Sequence, residues 1–298
     1  MAYLLVVSLV WAFSFGLIKG NLKGLDPSFV ALVRMALSLL FFAPFFRTRG
    51  LEPRPGLVLI AIGAVQYGLM YVLYIAAYQH LDAHQVALFT VFTPLFVVAI
   101  DDLWERRFRP AFLLAAALAV GGAAVLAGSS VDPRSLGKGF LLMQGANLCF
   151  ALGQVWYRRL ESQWKRSIPH RSIFALLYLG AAMTTGIATL LTPSSIPATL
   201  TFTQVWTLAY LGIVASGVCF FLWNVGATKT NAALLAVFNN VKVPLAVAVS
   251  LVVFGESTDL LRLGASGGLI VLALWIGHRL TAKPAETGNG GGSRPSRA

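Results

Sequence analysis

The chain has 298 residues, of which 57% are hydrophobic and only 11% charged, and its formal net charge is +12. Soluble domains carry about 25% charged residues, so this composition excludes both a soluble enzyme and a chain that stays unfolded in water. The basic residues sit in short clusters between apolar stretches, a pattern that orients membrane helices rather than one that grips nucleic acid.

A membrane helix needs about 20 mostly apolar residues. Ten such stretches follow one another, over 2–20, 28–46, 56–79, 85–101, 110–128, 138–157, 172–192, 204–224, 232–254 and 260–278. Turn residues punctuate them at Asp26-Pro27, 47–55, His80 to His84, Arg109-Pro110, Asp132-Pro133 and Pro193 to Pro197. The start of the chain has no basic segment and no small-residue cleavage site, so it reads as the first span rather than a removable leader. From residue 281 to 298 the chain is rich in glycine, serine and proline and reads as a disordered cytoplasmic tail. Cys149 and Cys219 both fall inside apolar stretches and make no disulfide framework.

Charge then sets orientation. With ten spans, 16 of the 23 basic residues fall on the side that holds both termini, and four fall on the other. That bias predicts a multi-pass protein of the cell (inner) membrane with its N- and C-termini in the cytoplasm.

The chain also repeats itself. Pro94 is followed by Glu105, and Pro244 by Glu256, each pair leading into a helix with a diglycine, Gly121-Gly122 and Gly267-Gly268. The offsets are 150, 151 and 146 residues, about half the chain. The expected fold is therefore an all-α integral membrane protein of ten transmembrane helices, arranged as two inverted five-helix repeats over 1–137 and 138–280. Inverted repeats are common in secondary transporters, whose solute sites lie near the midplane.

These residues resemble a known family. Trp11-Ala-Phe-Ser-Phe, Lys19 and the run Pro27 to Arg34 look like the opening of an EamA domain, and Tyr74-Ile-Ala-Ala-Tyr, the Pro94 helix and Trp104-Glu105-Arg106 look like its continuation. The second half is similar to another copy, more weakly at its start. The resemblance covers residues 1 to about 278 and implies the drug/metabolite transporter superfamily. It implies alternating access to a central cavity lined by helices 1, 3, 4, 6, 8 and 9, with helices 5 and 10 set apart.

Candidate solute contacts come from polar and aromatic residues inside spans. Tyr67, Tyr71, Tyr74 and Tyr78 are spaced to share one helical stripe, flanked by Gln66 and Gln79. Phenols facing lipid lack partners, so the stripe reads as a cavity wall suited to a cation, an aromatic group or a polar solute; the competing reading is interhelix packing. Lys242 lies near the middle of the ninth span beside Asn239 and Asn240, where a lysine is costly and usually faces a cavity. Pro244 leaves the carbonyl of Asn240 without its helical donor, and Pro94 does the same to Thr90, so both prolines are expected helix kinks. Trp11, Ser14, Thr93, Asn147, Gln154, Trp223 and Asn224 complete the candidate lining. Lys19 and Arg34 fall toward helix ends, where long side chains snorkel.

Other motifs carry less. His80 and His84 flank Asp82 in an outer turn without a further ligand, so no metal is expected. Gly137-Lys138-Gly139 lacks the rest of a phosphate loop. Gly264 and Gly268 read as a helix-packing pair. No acidic residue falls at mid-membrane, so Asp101 and Asp102 are the nearest candidates for a proton relay. The expected function is a carrier, without cofactor and not an enzyme, for a small-molecule solute. Amino acids leaving the cell are the leading expectation. Anionic metabolites bound by Lys242 are the alternative, and a scaffold or an intramembrane enzyme is the reading from another class. The lipid bilayer is the expected partner, nucleic acid is not, and a monomer is compatible with the sequence.

Overall fold

The protein is described here from a computed structural model covering residues 2–47, 53–104, 106, 125, 133–164, 168–192, 196–229, 243–255 and 259–281. Among these residues every regular element is helical. Hydrocarbon offers no water to backbone N–H and C=O groups, so a chain this apolar closes its hydrogen bonds within helices. In chain order they are α1 (Ala2–Asn21), α2 (Pro27–Phe42), α3 (Pro53–Ala77), α4 (Ala83–Trp104), α5 (Pro133–Ser162), α6 (His170–Leu190), α7 (Phe202–Thr228), α8 (Val243–Val252) and α9 (Leu260–Thr281).

Six of these, α1 to α4, α6 and α7, are long and apolar enough to cross a membrane. Helices α5 and α9 overlie the sixth and tenth expected spans. The fifth expected span, apart from Val125, and residues 232–242 of the ninth lie outside the described residues. The protein is thus a helical, multi-pass membrane protein.

The polar punctuation works as helix caps. Asp26 Oδ1 accepts from the backbone N–H of Ser28 at 2.8 Å and of Phe29 at 3.2 Å, with Pro27 opening α2. Asp82 and Gln85 close a capping box that starts α4 two residues before the expected boundary. Thr201 and Gln204 do the same for α7. The outer surface keeps large apolar side chains, with Leu40, Leu103 and Leu190 at 68%, 79% and 81% exposure. The interior holds buried Ser8, Arg34, Gln66, Asn147, Gln154, Ser216 and Asn224, the distribution that a lipid surround demands.

Two features were not legible as helix patterns. Residues Ala64–Leu69 within α3 and Tyr210–Val218 within α7 are π-helical. In α7 the widened turns hand backbone carbonyls to side chains of other helices. Ser38 donates to Gly212 O at 2.7 Å, Trp11 Nε1 to Ala215 O at 2.8 Å, and Tyr178 to Ser216 O at 2.9 Å and Gly217 O at 2.7 Å. Such segments cluster at functional sites. In α4 the helix tightens to a 3-10 turn at Thr90–Phe92, immediately before Pro94. Pro244 sits in α8, one residue after its first described position.

The packing has a paired pattern. Helix α1 packs on α7 as α5 packs on α3; α2 packs on α7 as α6 packs on α3; and α2 packs against α6. The α3–α6 contact is the tightest. A Cβ on Gly63 would collide with the Leu177 carbonyl, and one on Gly180 with the Ile60 carbonyl. The glycines that the sequence marks for packing behave differently. No described atom lies within 4 Å of a side chain built on Gly264, Gly267 or Gly268, and Gly121-Gly122 lies outside the described residues.

Lys19 does not snorkel. Its Nζ donates to Tyr78 O at 3.1 Å and Leu81 O at 2.8 Å and lies 3.3 Å from Asp82 Oδ1, which ties the end of α1 to the end of α3. An ammonium suits the carbonyl end of a helix. The half-exposed Asp82 adds little. Lys19→Met is expected to lower Tm by about 2–4 °C, on the order of 1 kcal/mol, read by fluorescence-detected melting in detergent.

Candidate functional site

A cavity opens where α1, α2, α3, α4, α5 and α7 converge, with about 570 Å³ of empty space that includes open solvent at its mouth. Trp11 and Ser14 reach it from α1, Tyr71 and Tyr74 from α3, Thr93 from α4 and Asn147 from α5. Phe15, Met70, Phe150 and Phe220 supply most of the apolar wall.

The residue that the sequence set aside dominates the electrostatics. Arg34 lines the cavity and is only 2% exposed. It lies seven residues into α2, about two turns below the Pro27 end, too deep to snorkel. Its Nη2 donates to Tyr71 Oη at 2.7 Å and its Nε to Ser216 Oγ at 3.1 Å, and the guanidinium lies 4.3 Å from the centre of the Tyr71 ring. The two hydroxyls also lie 3.1 Å from each other. Arg34 Nη1 is buried and has no hydrogen-bond partner among the described residues. Among the described residues no carboxylate lines the cavity to balance this charge. A buried cation with an idle NH2 group is costly unless something else satisfies it.

Elsewhere the wall offers acceptors. Ser14 Oγ donates to Val10 O at 2.9 Å and Thr90 Oγ1 to Ala87 O at 2.8 Å, which leaves their lone pairs for the cavity. Thr93 Oγ1 lies 2.9 Å from Thr90 O and 3.1 Å from Asn147 Oδ1, so the carbonyl that Pro94 frees is met by a neighbouring hydroxyl. Asn147 Nδ2 donates to Phe89 O at 2.8 Å, which aims its Oδ1 toward Thr93.

The tyrosine stripe divides. Tyr71 and Tyr74 line the cavity; Tyr78 lies beyond it, bonded to Tyr74 at 2.9 Å. Tyr67 lies behind the floor, fully buried, with its ring centre 4.7 Å from that of Phe220. The π-helical turn through Tyr67 rotates it out of the phase that an ideal helix assigns. Trp223 also sits behind the floor, with its ring 5.1 Å from Trp11. Asn239, Asn240 and Lys242 lie outside the described residues. Asp101 is paired with Arg159 at 2.8 Å, away from the cavity. His80 Nδ1 lies 3.3 Å from Ser135 Oγ.

The profile of the EamA-like transporter family matches residues 1–128 and 137–277. The chain belongs to this family. A probable biotin transporter of Pseudomonas aeruginosa is 40% identical over 279 residues, which cover 93% of this chain and 96% of that relative. Biotin transporters of Escherichia coli K12 and Salmonella typhimurium are 38% and 36% identical over 290 and 286 residues, covering 96% and 95% of this chain and 95% and 94% of the relatives. One solved crystal structure superposes with a TM-score of 0.66 at 19% identity, covering 95% of this chain and 98% of that one, a likeness that shows the fold alone. This EamA-family protein is therefore a membrane transporter of small metabolites and not an enzyme.

Proposed function

We propose that the protein carries a small metabolite bearing a carboxylate, with biotin as the specific candidate. The observation that supports this best is the idle, buried Nη1 amino group of Arg34 in the cavity wall. A guanidinium held by two hydroxyls presents its remaining donor to an anion with little loss of side-chain freedom. The acceptors Ser14, Thr90 and Asn147 suit N–H groups at the solute's other end, and the aromatic wall suits an apolar body between them. Three relatives carry biotin in their names, and biotin has a carboxylate, an aliphatic chain and a ureido head. Amino-acid efflux, the leading expectation from the sequence, draws no support from those names, and among the described residues no acidic side chain lines the cavity to receive an ammonium. Of the sequence's readings, the anionic metabolite fits better, with Arg34 in the described cavity as its anchor.

Transport proceeds by alternating access between two inverted five-helix repeats, 1–137 and 138–280, with 281–298 as a cytoplasmic tail. The paired helix contacts support this reading, since between the two halves α1–α7 is mirrored by α5–α3 and α2–α7 by α6–α3. So do the π segments, because Tyr210 begins the second 146 positions after Ala64 begins the first. The basic-residue bias supports an inner-membrane location with both termini cytoplasmic.

Ligand-induced stabilisation of the detergent-purified protein tests the solute. Biotin at 100 times its Kd is expected to stabilise by about 2.7 kcal/mol. Biotinamide, which lacks the charge, is expected to bind at least about tenfold more weakly. Stabilisation by an amino acid or amine with none by biotin overturns the reading.

A further inference from the structure

Behind the cavity floor lies a second polar site. Phe220 lines the cavity and packs on Tyr67; Trp11 lines it and packs on Phe220 at 5.1 Å. One turn further along α7, Asn224 donates from Nδ2 to Tyr67 Oη at 2.7 Å and accepts from Gln66 Nε2 at 3.3 Å. Helix α5 reaches the same level, since a Cβ on Gly153 would run into the side chain of Gln66. Its next residue, Gln154, is 1% exposed. Gln66 Oε1 and both Gln154 Oε1 and Nε2 are buried without a hydrogen-bond partner among the described residues.

These residues continue the cavity's own stripes. Asn224 lies four positions after Phe220 on α7, and Gln154 seven after Asn147 on α5, spacings that keep one helix face. Native interiors rarely leave such groups unmatched, and where they do a function is the usual reason. A cluster needed only for packing is served better by apolar side chains of the same shape.

We propose that Gln66, Gln154 and Asn224 form a second solute station beyond the aromatic floor, which takes a neutral amide- or urea-type head group once Trp11 and Phe220 move aside. The idle oxygens accept the head group's N–H bonds and the idle Gln154 NH2 donates to its carbonyl. The station rests on the carrier reading above for the identity of the solute, but not for its own existence.

The test uses full-length protein with Cys149 and Cys219 replaced by alanine, and single Gln154→Cys or Gln66→Cys substitutions. A charged methanethiosulfonate reagent is expected to label both positions at least tenfold faster than Leu177→Cys, which is equally buried in the α3–α6 contact. Biotin is expected to slow that labelling. Labelling at that rate which biotin does not slow, in a protein that biotin does not stabilise, keeps the station and rejects biotin as the solute. Labelling no faster than at Leu177→Cys overturns the station whatever the solute. If the cysteine variants do not fold, Gln154→Leu decides: an undiminished Tm with biotin flux into liposomes reduced at least tenfold supports the station, and unchanged flux overturns it.

Discussion

Arg34→Leu is expected to weaken biotin binding by about 10- to 100-fold while leaving the protein folded. A hydrogen bond to a charged group contributes about 1.5–3 kcal/mol, and each 1.4 kcal/mol is about tenfold in Kd. The two effects separate because of what the arginine leaves behind. Tyr71 Oη and Ser216 Oγ lie 3.1 Å apart and satisfy each other without it. Removing a buried cation that has no carboxylate partner also removes its desolvation cost, so Tm is expected not to fall. Arg34→Lys keeps the charge but loses the planar fork that holds two hydroxyls while pointing a third donor at the solute. It is expected to bind with intermediate affinity. Isothermal titration with biotin, together with melting of the unliganded protein, checks both parts. Lys242→Ala provides the comparison: if affinity falls there and not in Arg34→Leu, the anion anchor lies in the ninth expected span.

Gly63→Ala and Gly180→Ala are expected to be the most damaging single-methyl changes. Each new Cβ meets a backbone carbonyl of the opposing helix, Leu177 for the first and Ile60 for the second. A backbone atom cannot rotate away as a side-chain tip can, so α3 and α6 must separate. Overpacking costs about 1–3 kcal/mol and more where the neighbour is rigid. A loss of roughly 5–10 °C in Tm is expected for each. The π segment Ala64–Leu69 that positions Tyr67 adjoins Gly63, so biotin affinity is expected to fall as well. Gly264→Ala, which meets no described atom within 4 Å, serves as the control and is expected to leave Tm within about 2 °C of wild type. Melting curves of the three variants measured side by side settle the point.

Much of this protein is decided by composition and spacing alone. Apolar stretches of about 20 residues force helices in a bilayer, and Asp26, Asp82 and Thr201 start theirs by capping chemistry that is local in sequence. The family was legible for the same reason, because its motifs are runs of neighbouring residues. Trp11, Ser14, Tyr71, Tyr74, Thr93 and Asn147 could be picked out as polar or aromatic groups in apolar spans, and all six line the cavity.

Tertiary structure decided what depends on helix phase and on which helices meet. Arg34 reads as a residue near a helix end until the rotation of α2 is known, which turns it inward onto Tyr71 and Ser216. An evenly spaced tyrosine stripe breaks because a π-helical turn shifts its phase, and no local residue pattern announces that turn. Glycine pairs that look alike in sequence differ in the fold: Gly63 and Gly180 touch a neighbouring backbone, whereas Gly264 and Gly268 meet no described atom within 4 Å. Sequence thus determined the solvent in which the chain folds and the elements it forms there. Only the packing of α2, α3, α5 and α7 determined where an unpaired charge and unpaired amides come to lie, because those positions are set by contacts between residues far apart along the chain.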